Sequence, residues 1–264
     1  MSILPSACIW AHKPPIAKAL VKIKETAFHY IDVEPGTLDA EALEAQKKLG
    51  LKVSCVALEH QAPKGSSWDG KDSNALRKMV DHVRQALQTS QSLEAKVGYV
   101  GCCGDRKQLK PFGEALSELA TDAAARGIKL CIEHVPGKGL PGAKEALAFV
   151  EQVGHANLFL LLDIGHTLIS KEKPWEIVLS AGEKLGYVQL DDNDGRKDRH
   201  WPLLDGKLTM ADLTKTLENL HKIGYQSTVG LELVEQYHTA LISSLSKNRN
   251  LVLRILQEIE KKAA

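Results

Sequence analysis

Short apolar runs alternate with amphipathic stretches from one end of this chain to the other. The runs lie at residues 7–10, 27–33, 52–58, 96–100, 129–133, 158–163, 187–190 and 228–233. They are rich in leucine or β-branched residues, as in strands buried on both faces. Helical periodicity fills residues 38–49, 73–87, 111–125, 143–153, 175–185, 210–223 and 241–261. The helix at 38–49 is predicted to start after a Thr37 cap and to stop at Gly50. Gly127, Gly154, Gly186 and Gly224 are the corresponding stops of later helices. Junctions such as Leu-Gly-Leu-Lys and Arg-Gly-Ile-Lys then feed the next strand. This pattern predicts an α/β chain forming a single (β/α)₈ TIM barrel over residues 1–264. A doubly wound open sheet is disfavoured, because Ile-Trp-Ala-His-Lys-Pro-Pro after the first strand is no Gly-rich phosphate loop.

In such a barrel, side chains at the carboxyl ends of the strands converge on one face. Four successive late strands end in a group able to bind a cation: Glu133, Asp163, Gln189 and Glu232. Burying a carboxylate or amide there is costly unless something pairs with it, and these strands hold no matching arginines. Three carboxylates and an amide oxygen suit Mn²⁺, Mg²⁺ or Co²⁺ better than structural zinc. A divalent ion so held would grip neighbouring hydroxyl and carbonyl oxygens and stabilise an enediolate. Two glutamates could then remove and return a proton, as an isomerase or epimerase requires. Gly230, beside Glu232, is expected to leave room for a ligand.

His166 follows Asp163 by three residues and is expected in the loop above it, as substrate donor or acid–base helper. The polar loop at 191–206 holds Asp198, Arg199 and His200. Asp198 and His200 have the spacing of a second metal pair, and Arg199 suits a phosphate or carboxylate. His60 and Trp10, at the ends of early strands, complete the expected substrate rim, with Glu34 as a solvated loop acid.

The 264 residues carry 34 Lys+Arg against 33 Asp+Glu, a formal net charge of +1, so nothing draws the chain to nucleic acid or an anionic membrane. No apolar run approaches the ~20 residues of a transmembrane helix, and the amino terminus does not read as a signal peptide. Five cysteines without a C-x-x-C fit reduced thiols in a cytoplasmic protein. The long last helix could support a homodimer.

These motifs resemble the xylose isomerase-like barrel superfamily, which includes sugar (phosphate) isomerases and epimerases and the AP endonuclease family 2 proteins. The family's Glu, Asp, His and Glu at the ends of strands five to eight match Glu133, Asp163, Gln189 and Glu232. Its D-x-x-H matches Asp163 to His166, and its D-x-H matches Asp198-Arg199-His200. The resemblance implies that Glu133 and Glu232 bind metal and exchange protons. Gln189 departs from the family's histidine, replacing imidazole with a weaker amide oxygen. Gly-Tyr-Val-Gly-Cys-Cys lacks the histidine a trinuclear zinc endonuclease requires, so DNA cleavage is not expected. The expected function is a metal-dependent isomerase or epimerase acting on a small sugar, sugar phosphate or polyol. The alternatives are a lyase like 3-dehydroshikimate dehydratase, which can also carry Gln at this position, and a non-catalytic sugar-binding barrel.

Overall fold

The computed structural model describes residues 3–234 and 241–263. Eight parallel strands close into a barrel in chain order. They are β1 (Pro5–Cys8), β2 (Tyr30–Val33), β3 (Lys52–Ala57), β4 (Val97–Val100), β5 (Lys129–Glu133), β6 (Leu158–Asp163), β7 (Leu185–Leu190) and β8 (Val229–Leu231). The helices outside it are α1 (Ile16–Glu25), α2 (Ala40–Lys48), α3 (Ser73–Ser92), α4 (Leu109–Ala124), α5 (Ala143–Val153), α6 (Ile164–Ser170), α7 (Pro174–Ala181), α8 (Met210–Lys222) and α9 (Leu241–Ala263). This is the TIM barrel that the alternation of elements predicts. No helix among the described residues is long and apolar enough to cross a membrane.

Local chemistry explains where the elements begin and end. Asp39, not Thr37, caps α2, its carboxylate accepting from the Ala42 N–H. An ionised cap two residues later leaves the threonine outside the helix. Gly50 follows α2 at φ +62°, as its position as a stop requires. Gly186 is no helix stop, because α7 ends at Gly182 and Gly186 lies within β7. A Cβ there would come within 2.4 Å of Cys131 Sγ, so the glycine makes room for a barrel side chain. Strand β2 starts at Tyr30 rather than Ala27, which sits at φ +64° and cannot extend a strand. Helix α1, absent from the expected elements, is marked by Ile16, Leu20 and Ile23 on its buried face, but no side chain caps it.

Two apolar layers hold the barrel. The larger packs outward strand residues such as Val53, Leu130, Leu160 and Val188 against the helices. The smaller fills the barrel with Cys55, Ala57, Val97, Tyr99, Cys131, Leu161 and Tyr187, with Trp10 and Phe159 against them. The inward period of two then carries β5 to Glu133, β6 to Asp163 and β7 to Gln189, with Glu232 just past β8. All five cysteines are free and buried.

Candidate active site

Asp163 is the hinge of the mouth. It ends β6 and caps α6, its Oδ1 accepting the His166 N–H at 2.9 Å. Its Oδ2 is buried without a hydrogen-bond partner, and so is Gln189 Oε1 on the adjacent strand. An unmet buried polar atom costs about 1–3 kcal/mol. The two belong to paired residues at the ends of adjacent strands.

His166 lies in the first turn of α6, not in a loop: the Asp163 cap lets a short helix start directly from the strand. The imidazole is 3% exposed. Its Nδ1 is 2.7 Å from the His134 carbonyl and its Nε2 3.1 Å from Asp198 Oδ2. Burial works against its charge, but Asp163, Asp198 and Glu133 outweigh this and raise its pKa well above the ordinary value. His200 is held in the same way, Nδ1 on Asp191 Oδ2 at 2.9 Å and Nε2 on Asp198 Oδ2 at 3.1 Å. Burial disfavours its charge too, yet Glu232, Asp191 and Asp198 raise its pKa strongly. Asp198 thus sits between two imidazoles, whose hydrogen bonds overcome its desolvation and hold its pKa below the usual carboxylate range.

Two three-donor groups meet here, Glu133–Asp163–His166 and Asp163–Asp191–His200, each with its ligand atoms within 4.8 Å of one another. Burial pushes Glu133 well above the normal carboxylate value, with Asp163 and Glu232 adding to it against the pull of His166. Burial also pushes Glu232 up to about 7, opposed by His200 and supported by Asp163. The Trp10 indole N–H donates to Glu232 Oε1 at 3.1 Å. Trp10 stands past the end of β1 rather than in it, stacked on His60 at 6.5 Å. His60 Nδ1 pairs with Glu34 Oε1 at 2.8 Å, so Glu34 is tied to the rim rather than only solvated. Arg199 reaches Asp194 Oδ2 at 3.6 Å within its own loop. The space beside Gly230 is not open to a ligand. A Cβ there would lie 2.6 Å from Asp32 Oδ2 and 3.3 Å from Cys8 Sγ.

Two residues of the site escaped the reading of the sequence. Asp191 is fully buried, accepts the Gly165 N–H at 2.9 Å and orients His200. Its signal was its place two residues after Gln189, on the same face of the strand. Glu59, just past β3, accepts the Trp68 indole N–H. Asp192 organises the loop above them, taking the N–H groups of Gly206, Lys207 and Leu208 at 2.7 to 2.9 Å. Either three-donor group, with Asp163 Oδ2 left unpartnered, could hold a divalent cation; Glu232 falls in neither group.

The profile of the family described as the xylose isomerase-like TIM barrel matches residues 20–251. Fructoselysine 3-epimerase of Escherichia coli O157:H7 is 23% identical over 175 residues, 63% of this chain and 62% of that protein. L-ribulose 3-epimerase of Mesorhizobium japonicum is 26% identical over 194 residues, 67% of this chain and 64% of that protein. The chain spans about three fifths of the length of the first curated relatives it matches. A solved structure described as a D-tagatose 3-epimerase-like protein superposes with a TM-score of 0.81 at 19% identity, covering 100% of both chains. At that identity the likeness is one of fold.

Proposed function

The chain belongs to the xylose isomerase-like TIM barrel family, and from that footing we propose that it is a metal-dependent isomerase or epimerase that moves a proton beside the carbonyl of a small sugar-like substrate. The observation that carries this reading is the pair of unpartnered buried oxygens, Asp163 Oδ2 and Gln189 Oε1, on the two strands that lie between those leading to the half-buried Glu133 and the buried Glu232. Relatives named as sugar 3-epimerases support the reaction class.

A divalent ion held by Glu133, Asp163, Gln189 and Glu232 would supply Lewis acidity at the substrate's carbonyl and hydroxyl oxygens. The protein does the rest. Trp10 N–H holds one oxygen of Glu232, leaving the other to take a proton from carbon or return it. Glu133 approaches from β5, a different wall of the mouth, and is suited to the complementary transfer. Both acids are desolvated, which raises their affinity for a proton. Asp198, His166 and His200 form a hydrogen-bonded bridge that ties the loop after β7 to α6.

The test is carbon-bound deuterium incorporation from D₂O across a panel of ketoses, with metal content measured on the same preparations. The wild type is expected to hold one divalent ion per chain and to exchange. Glu232→Gln should reduce exchange by on the order of a thousandfold, the upper part of what a positioned acid–base group contributes. Exchange that survives Glu232→Gln or chelation would overturn the reading, as would release of an unsaturated product without exchange.

A further inference from the structure

Gln189 is fully buried in β7 and paired across the sheet with Asp163. A primary amide has two ends of nearly the same shape and opposite chemistry. Its oxygen accepts and can bind a cation, whereas its NH₂ group only donates and cannot. A buried glutamine therefore serves a cation only if another group takes its nitrogen.

Tyr99 is in place to do so. It lies in β4, is 4% exposed, and packs in the barrel interior with Cys55, Cys131, Leu161 and Tyr187. The Gln189 Nε2–H donates to its hydroxyl at 3.5 Å, the one side-chain hydrogen bond of that amide among the described residues. Gln189 Oε1 is left without a partner, as is Asp163 Oδ2 on the neighbouring strand. Burial raises the Tyr99 pKa well above the ordinary value, and Glu232 and Glu133 add to it. The hydroxyl therefore stays protonated, and as a neutral group it still offers lone pairs to the amide. A phenylalanine would fill the same space and accept nothing.

We propose that Tyr99 is the positioning residue of the cation site: it takes the Gln189 nitrogen and so leaves the amide oxygen for the ion. The proposal rests on the reading of Gln189 as a ligand under the proposed function, and it involves no step of proton transfer.

Calorimetric titration of the metal-free protein with Mn²⁺ tests it, on the wild type, Tyr99→Phe, Gln189→Glu and the double variant. Tyr99→Phe is expected to weaken binding about tenfold or more, as loss of a group that orients a ligand does. In the Gln189→Glu background the same replacement should weaken it by less than about twofold, because a carboxylate presents an oxygen whichever way it turns. Equal weakening in both backgrounds would assign Tyr99 a packing role only and overturn the proposal. Unchanged affinity in Tyr99→Phe would overturn it too. If Tyr99→Phe does not fold, NMR of the metal-free wild type with isotope-labelled glutamine decides. The Gln189 amide protons, identified by their loss in Gln189→Glu, should cross-relax with the Tyr99 ring; no such contact would overturn the proposal. A wild type that binds no Mn²⁺ would remove this proposal and the metal reading together. The expected cycle without deuterium exchange would remove the proton-transfer reading and leave the role of Tyr99 standing. Exchange with equal losses in both backgrounds would do the reverse.

Discussion

Two buried aspartates of the barrel, one in β2 and one in β6, show how one fold treats the same side chain in two ways. Asp32, in β2, is 1% exposed and fully engaged. Ser6 donates to it at 2.7 Å, Tyr187 reaches both its oxygens at 2.9 and 2.7 Å, and Ser54 and Cys8 complete the shell. Asp163, in β6, is equally buried, yet one of its oxygens has no partner. Asp32 is an acid the protein has satisfied for itself, and burial raises its pKa against the hydrogen bonds that hold it. Asp163 is an acid that the protein leaves with one oxygen unsatisfied. The difference separates structure from chemistry more cleanly than burial alone, because a buried polar group without a partner needs a reason.

Exchanging each acid for its amide should break the comparison most strongly. Asp163→Asn keeps the helix cap, since asparagine caps as well as aspartate. It is expected to leave the unfolding free energy within about 1 kcal/mol. Turnover should fall on the order of a thousandfold or more, as loss of metal-assisted charge stabilisation implies. Asp32→Asn turns an amide donor toward the hydroxyls of Ser6, Ser54 and Tyr187. It should cost about 1–3 kcal/mol of stability while changing turnover only a few-fold. Denaturant unfolding and steady-state kinetics on both variants read the crossing directly. If both variants lose stability equally and neither loses activity, the two acids do the same job.

Glycines beside these acids offer a subtler version. A Cβ on Gly165 would lie 2.2 Å from Asp191 Oδ1, and one on Gly230 would lie 2.6 Å from Asp32 Oδ2. Gly165→Ala should displace Asp191, and with it His200, lowering turnover about a hundredfold, as expected when a positioned group shifts by about 1 Å. Gly230→Ala overpacks the barrel floor and should cost about 1–3 kcal/mol of stability. Activity assays and thermal unfolding would then show the same split from the glycine side.

The smallest expected effect sharpens the rim of the mouth. The hydrogen bond that His60 donates to Glu34 raises the His60 pKa despite burial, and the same bond lowers that of Glu34. The stability contributed by His60 is therefore present below pH 6.5 and lost as pH rises through its raised pKa. That of Glu34 is present above pH 4.5 and lost as pH falls through its lowered one. The pair contributes no more than about 1 kcal/mol at this exposure. In Glu34→Gln the His60 imidazole should titrate closer to 6.5 by NMR; an unchanged value would show that Glu34 is not its partner.

Much of the fold was legible because barrel strands are written as apolar runs. The bounds of β5, β6 and α5 were readable to the residue, since Glu133, Asp163 and Gly154 each mark a sharp change of environment. Helix α1 was less legible, because Pro14-Pro15 gives no capping side chain to announce it. Helix α6 was hidden because it starts on the strand's own last residue. The polar residues at the strand ends could be named, but their hydrogen-bond partners could not. Asp191 and Glu59 look like ordinary acids until the chain closes and brings Gly165, His200 and Trp68 against them. Asp32 shows the opposite limit. An acid inside a strand says nothing of the three hydroxyls, drawn from β1, β3 and β7, that satisfy it.

Metal stoichiometry and affinity, measured on Asp163→Asn beside Asp32→Asn with manganese as the probe, tests the central claim most directly. The account predicts one tightly held ion per chain in Asp32→Asn, as in the wild type, and at least about a hundredfold weaker binding in Asp163→Asn. Undiminished binding in Asp163→Asn, or equal loss in both variants, would contradict it.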